Sequence, residues 1–270
     1  MKAVMDGRDV MKLRDAVGKI EKRIPLSWSE GWDNSGLQVG DPDCEIRKIG
    51  IALDVTEDTV NKASESGCSL LISHHPIIFR PLINIIEDRP AAKAVVSAIK
   101  NGISLYAAHT NWDSSPEGVN FTLAELLGLD EIEPLIPSAD GSSWGMGAAG
   151  ELMMPMSFDT VMKLIKERWS LTSCRAYGIK PEMIKKIALG GGSCGDLWPL
   201  AARSGASLFV TADISYHVRQ DALNSGLGLV EVDHGEMERA SLPKLRSIIE
   251  KETGLTVELI PEAETESLII

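Results

Sequence analysis

Short apolar runs alternate with segments of helical spacing along this chain. Lys48–Asp54 (KIGIALD) is apolar at nearly every position, the pattern of a strand buried on both faces. Thr56–Ser66 follows with helical spacing, opened by Thr56 and carrying Glu57 and Asp58 in its first turn, where acids suit the helix dipole. Gly67 ends it. Ser69–Ser73 (SLLIS) predicts a second buried strand, Ala91–Lys100 a helix behind Pro90, and Ile103–Ala108 (ISLYAA) a third strand after the Asn101-Gly102 stop. Strands alternating with helices predict βαβ units and a largely parallel sheet, an α/β fold.

The second half repeats this pattern. Ile46-Arg47-Lys48-Ile49 matches Ile184-Lys185-Lys186-Ile187, and Ser66–Ser73 (SGCSLLIS) matches Ser204–Thr211 (SGASLFVT), both at one offset of 138 residues. A further match, Gly102–His109 with Gly226–His234, needs a shift of register. Any two βαβ units share some likeness, but a constant offset favours two similar α/β lobes from an internal duplication. The segment Leu135–Gly150 (LIPSADGSSWGMGAAG) is rich in Gly, Ser and Pro and predicts a link between them. The expected lobes are 1–134 plus 232–270, with most of the metal ligands, and 135–231.

The 270 residues are 44% hydrophobic and 24% charged, which suits a packed core rather than a disordered chain. A net charge of -12 without a Lys/Arg run argues against nucleic acid as a partner. The four cysteines form no CxxC pair and read as reduced thiols of a cytoplasmic protein. The first twenty residues mix charges throughout, unlike a signal peptide, and no run approaches the ~18 apolar residues of a membrane span.

The chemistry concentrates where predicted strands end, the place where parallel α/β sheets gather ligands. There are five histidines, His74, His75, His109, His217 and His234, each just after a predicted strand or a short way beyond. His74 and His75 end SLLIS; adjacent imidazoles can turn to different sides, one for each of two ions, and Pro76 restrains the second to extended backbone. The alternative is a pair of exposed loop histidines. Asp113 lies four residues beyond His109 and can bridge two ions through its carboxylate, or simply cap a helix. His234 and Glu238 stand at i and i+4 after LGLVEV and share a face if a helix begins there, with Glu236 pointing elsewhere. Otherwise they belong to a solvated helix start. Asp213 and His217 repeat that spacing and read as outer orienters or proton carriers. Gly190–Asp196 (GGGSCGD) can offer backbone N–H groups to a phosphate, but without a GK[ST] ending a tight turn fits better. Imidazoles with carboxylates and no thiolate cluster favour Zn, Fe or Mn over Ca or Mg.

Trp32–Gly40 (WDNSGLQVG), Ser73–Pro76 (SHHP), His109–Asp113 (HTNWD), Gly190–Asp196 and Thr211–His217 (TADISYH), in that order, resemble the Nif-three-like family. Its members are dinuclear-metal-centre proteins often described as type 2 GTP cyclohydrolase I. The resemblance implies two three-layer α/β subdomains and a ring-shaped homohexamer. It also implies two divalent ions on His74, His75, Asp113, His234 and Glu238. The length is near the family's short form, without room for an inserted domain. Three positions depart from the family pattern: Asp233 and Ala212 replace glycines, and Met237 replaces a threonine. The activity implied is metal-dependent hydrolysis through a metal-bridging water, with Asp113, Glu238 and His217 as catalytic residues and GTP as the named substrate. Arg80, Lys180 and Arg239 are the candidate cations for a triphosphate. A non-enzymatic metal-binding scaffold or regulator is the alternative.

Overall fold

The computed structural model describes residues 10–138, 142–178 and 180–262. Their fold is mixed α/β, in two compact units. The first takes the chain up to Asn111 and again from Leu245; the second is Trp112–Lys244.

In the first unit a five-stranded sheet runs in the order Thr256–Leu259, Lys48–Ala52, Leu70–Ser73, Ser104–Ala107, Gly36–Val39. The first four strands are parallel and the last is antiparallel. The three predicted strands are present, and Leu70–Ser73 is buried along its whole length, as its unbroken apolar run requires. The crossover helices are Glu57–Glu65 and Pro90–Asn101. Thr56 and Thr59 cap the first reciprocally: the Thr56 side chain accepts from Thr59 N at 3.1 Å and Thr59 Oγ1 accepts from Thr56 N at 2.8 Å. The second has Pro90 in its first turn and stops at Gly102, whose φ of 67° is the left-handed conformation that glycine adopts at no steric cost. Val60, Ala63, Ala94 and Ala98 from these helices pack on Leu71 and Leu105 of the sheet. Leu70 and Ile72 alternate with Leu71 along the strand and serve the opposite face.

In the second unit a six-stranded sheet runs Cys174–Tyr177, Gly228–Val232, Leu208–Thr211, Met183–Leu189, Ala148–Ser157, Leu129–Glu133. Only the three strands Gly228–Val232, Leu208–Thr211 and Met183–Leu189 are mutually parallel; the others join antiparallel. The largely parallel sheet expected from the repeat is therefore the centre of this unit, not all of it. Across that centre the register is that of the first unit. Ile49 pairs with Leu70 and Ile51 with Ile72, while Ile187 pairs with Leu208 and Leu189 with Val210. Ser69 N donates to Lys48 O at 2.9 Å, and Ser207 N to Lys186 O at 3.2 Å.

The unit boundaries differ from the expected lobes of 1–134 plus 232–270 and 135–231. Leu129–Glu133 pairs with Ala148–Ser157, and the indole N–H of Trp169 donates to Leu123 O at 3.1 Å, which ties 119–133 into the second unit. Beyond Val232, Ser241 accepts from the indole of Trp112 at 3.3 Å. His234 and Glu238 thus belong to the second unit. The Gly/Ser/Pro-rich stretch is not a bare linker. Ile136–Pro137 pairs with Gly145–Met146, and a Cβ at Gly145 would stand 2.1 Å from Ile136 O, so the hairpin requires glycine there. Residues 139–141 of that stretch lie outside the described ones.

Leu70 and Leu208 are both fully buried at matching register positions. Leu70→Ala and Leu208→Ala should each cost about 2–5 kcal/mol, the range for truncating a core leucine. Hydrogen exchange should show each substitution loosening its own unit first. Uniform loosening of both units by either one would contradict two separate cores.

Candidate metal centre

In the first unit two neighbouring strands deliver three imidazoles. Leu70–Ser73 runs into His74 and His75, whose backbone N–H groups donate to Ala52 O at 3.2 Å and Leu53 O at 3.0 Å. Ser104–Ala107 runs into His109, after Ala108 N donates to Ser73 O at 2.8 Å. The ligand atoms of the three histidines lie within 4.8 Å of one another, an arrangement that can hold a metal ion.

Each ring is anchored through Nδ1. His74 Nδ1 is 2.9 Å from Ala108 O, His75 Nδ1 2.9 Å from Asp54 Oδ1, and His109 Nδ1 2.7 Å from Asp33 Oδ1. A carbonyl or carboxylate oxygen only accepts, so Nδ1 carries the hydrogen in each and Nε2 carries the lone pair. That is the tautomer and the bracing of a metal-ligating histidine. Asp33 is itself braced: it accepts from Ser35 Oγ at 2.6 Å, Thr110 Oγ1 at 2.5 Å and Thr110 N at 3.2 Å, and its side chain has no exposed surface. Burial pushes its carboxyl up. The hydrogen bonds from His109, Ser35 and Thr110 and the charge of His109 outweigh that, and hold it well below the usual carboxylate range.

The second unit repeats the device at the end of Gly228–Val232. There the helix His234–Arg239 opens on Asp233, whose side chain accepts from Glu236 N at 2.9 Å. His234 and Glu238 share a helical face, with Nε2 and Oε1 3.1 Å apart, and His234 Nδ1 meets Asp213 Oδ2 at 2.6 Å. Glu236 turns away to accept from Thr172 N and Oγ1. Hydrogen bonding to Glu238 is the main cause that raises the His234 pKa to about 9; burial opposes it and Asp213 adds to it. A site that keeps an imidazole charged so far above its usual range favours a cation.

Asp113 closes the short helix Thr110–Asp113 and is 6% exposed; the next helix, Val119–Leu126, opens on Gly118, so Asp113 is not its cap. Its backbone carbonyl accepts from Asn120 Nδ2 at 3.0 Å, and Asn120 Oδ1 accepts from Gly191 N at 2.8 Å. This brings the Gly190–Asp196 loop to the site. Gly192 has φ +72°, and a Cβ there would stand 2.4 Å from Glu238 Oε1 and 3.2 Å from His234 Nε2. The loop is a close wall against these two side chains, which is why glycine occupies it. Cys194 lies in the same wall, its Sγ 3.1 Å from Gly191 O. Burial, then the charges of Asp113, Glu238 and Asp196, push its thiol far up.

Asp213 and His217 do not form a helical pair. The helix Tyr216–Asn224 opens on Ser215, and Asp213 precedes it with φ 49°. Asp213 braces His234, whereas His217 is exposed against the ring of Tyr216. Arg80 lies over Phe79 and Lys180 over Phe158, each at 5.3 Å from the ring centre, and Arg239 closes the helix that carries His234. Sequence reasoning passed over Asp33, Asp54 and the wall at Gly192. Asp54 had a signal, since it ends the buried run KIGIALD; Asp33 had little beyond its place in WDNSG.

In the first unit the braced imidazoles of His74, His75 and His109 form a group that can hold a metal ion, and in the second His234 stands against the buried carboxylate of Glu238 under the glycine wall. Among the described residues no helix is long and apolar enough to cross a membrane. A protein of Clostridium perfringens, "GTP cyclohydrolase 1 type 2 homolog", is 38% identical over 94% of this chain and 97% of its own length. A crystal structure of a Staphylococcus aureus protein, SA1388, matches with a TM-score of 0.86 and 28% identity over 96% of this chain and 99% of that one. A Bacillus cereus protein related to NIF3 shares the fold, with a TM-score of 0.90 at 23% identity over 96% of this chain and 99% of its own. The model of the Duf34/NIF3 (NGG1p interacting factor 3) family matches residues 11–266, and the chain belongs to that family.

Proposed function

We propose that this protein is a metal-dependent hydrolase that holds two divalent ions on His74, His75, Asp113, His234 and Glu238. The observation that carries the reading is the bracing of the imidazoles: His74, His75 and His234 each give Nδ1 to an oxygen, and His234 holds Nε2 against Glu238, where an ion would take the place of the proton. Ions bound there would supply an acidified bridging water and polarise the bond to be cut. Asp113 and Glu238 are buried carboxylates that offset the ions' charge and hold them at fixed places. Asp54 and Asp213 orient the rings of His75 and His234. His217, exposed at the first turn of its helix, is the proposed proton carrier. GTP is the first substrate to assay, because curated relatives carry that name. We attribute the shared register of the two units to an internal duplication, and include the homohexameric ring in the same proposal.

Carefully handled or reconstituted protein should contain about two transition ions per chain, lost on acidification because the histidines must be neutral to bind. Elemental analysis giving fewer than one ion per chain after reconstitution would count against the centre. Light scattering should give a mass near six chains; a one-chain mass across micromolar concentrations would reject the ring.

In metal-free protein, NMR should show the His234 imidazole titrating near pH 9, and Glu238→Gln should bring it back toward 6.5. Because the folded pKa is raised, its contribution to stability is present in full below about 6.5 and fades as pH rises through 9. A bound ion displaces that proton, so metal affinity should climb over the same interval. A flat affinity would separate His234 from the ions.

Asp113→Asn keeps the shape and removes the charge, so turnover should fall on the order of a hundredfold or more, as when a principal charge-stabilising group is lost. His217→Ala should cost roughly tenfold to a hundredfold, the scale of outer groups. Thermal melts in chelator should leave wild type and Asp113→Asn alike. Full turnover by Asp113→Asn with both ions bound would sink its role. A screen in which no hydrolysis depends on Asp113 would favour the scaffold reading.

A further inference from the structure

We infer that Arg219, held over the rings of Tyr177 and Tyr216, forms a binding site in the second unit for the phosphoryl group of a small molecule. Its guanidinium carbon is 4.6 Å from the centre of the Tyr177 ring and 5.5 Å from that of Tyr216. Attraction to a ring face uses the charge of a guanidinium and not its N–H groups, so its five donors stay available. Among the described residues no acceptor takes any of them, and no carboxylate stands within ion-pair distance. Arg219 is nevertheless half-buried and held in place.

The bracing comes from the edge of the six-stranded sheet. Cys174–Tyr177 is its outermost strand, and its pairing sets Arg175 opposite Glu231 and Tyr177 opposite Leu229. Tyr177 and Glu231 are therefore diagonal neighbours, and the phenol donates to Glu231 Oε2 at 2.7 Å. Glu231 Oε1 accepts from Ile214 N at 3.1 Å, so this carboxylate fixes the ring and the loop rather than Arg219. Tyr177 packs on the core of the unit, as do Val218 and Leu223 from the helix of Arg219. Tyr216 and Arg219 stand at i and i+3 of that helix and share a face, whereas Asp221, two positions further on, faces elsewhere. Tyr216 is 62% exposed, so the cluster opens to solvent.

The planar fork of a guanidinium matches two oxygens of an anion. Arg175 donates to the Tyr177 phenol at 3.3 Å and brings a second guanidinium to the cluster, and His217 lies against Tyr216. So much positive charge at one place in a chain of net charge -12 favours a phosphoryl group, while the overall charge disfavours a nucleic-acid polymer. Ile214, bound to Glu231, lies next to Asp213, which braces His234. On the hydrolase reading above, the site would hold a phosphate of the substrate; the site itself does not depend on that reading.

The test uses the full chain, stripped with chelator so that no ion can hold the probe, and titrated with inorganic pyrophosphate. Calorimetry should show saturable binding, and NMR should show the Arg219 Nε–H and the ring protons of Tyr177 and Tyr216 moving with it. Arg219→Gln should weaken binding about tenfold to a hundredfold, the scale of a lost hydrogen bond to a charged group. Arg219→Lys keeps the charge without the fork and should recover only part of the loss. No saturable binding by stripped wild type, binding that leaves the Arg219 signal unmoved, or unchanged affinity in Arg219→Gln would overturn the site. A single-stranded oligonucleotide that binds more tightly than pyrophosphate and moves the same signals would overturn the small-molecule assignment. The wild-type NMR titration decides the matter even if Arg219→Gln fails to fold. Metal content and Asp113-dependent hydrolysis are measured separately on reconstituted wild type, so either reading can fail while the other stands.

Discussion

A hydrogen bond from Nδ1 of a histidine to an oxygen acceptor sets the chemistry at both units. His74 gives it to a backbone carbonyl, and His75, His109 and His234 give it to Asp54, Asp33 and Asp213. Each such bond fixes one ring orientation and so aims Nε2 in a defined direction. Without it a loop histidine samples two tautomers and several rotamers, and binding an ion would have to order all of them. Asp54 and Asp213 stand just past the ends of buried strands, whereas Asp33 lies ahead of the strand Gly36–Val39.

The glycine wall follows from the same constraint. His234 and Glu238 face each other across 3.1 Å, and Gly192 lies so near that any Cβ would strike Glu238. The Gly190–Asp196 loop is thereby a packing element, tied through Asn120 to the carbonyl of Asp113. The three departures from the family pattern also find physical places. Asp233 caps the helix of His234, Met237 is fully buried, and Ala212 is fully buried with its N–H donating to Gly192 O at 3.0 Å. None of them occupies a ligand position.

Much of this was legible in the residue order. Buried strands declare themselves by unbroken apolar runs, and helix ends by Thr56, Pro90 and Gly102, because those signals depend on local burial and local backbone conformation. The i, i+4 spacing of His234 and Glu238 foretold their shared face, since a helix converts spacing directly into geometry. The constant offset between SGCSLLIS and SGASLFVT reappears as identical strand register in the two sheets.

Tertiary structure decided what depends on residues far apart in the chain. Asp33 meets His109 across 76 residues and Asp54 meets His75 across 21, and no local spacing links either pair. The unit boundaries were set by the pairing of Leu129–Glu133 with Ala148–Ser157, because a Gly-rich composition signals a turn equally well in a linker and in a hairpin. Asp213 and His217 carry the same spacing as His234 and Glu238, yet only the latter pair lies on a helix; Ser215 starts the other helix between its two members. Spacing becomes geometry only where the backbone is regular, and the rest of the centre is positioned by contacts between strand ends that sequence order does not encode.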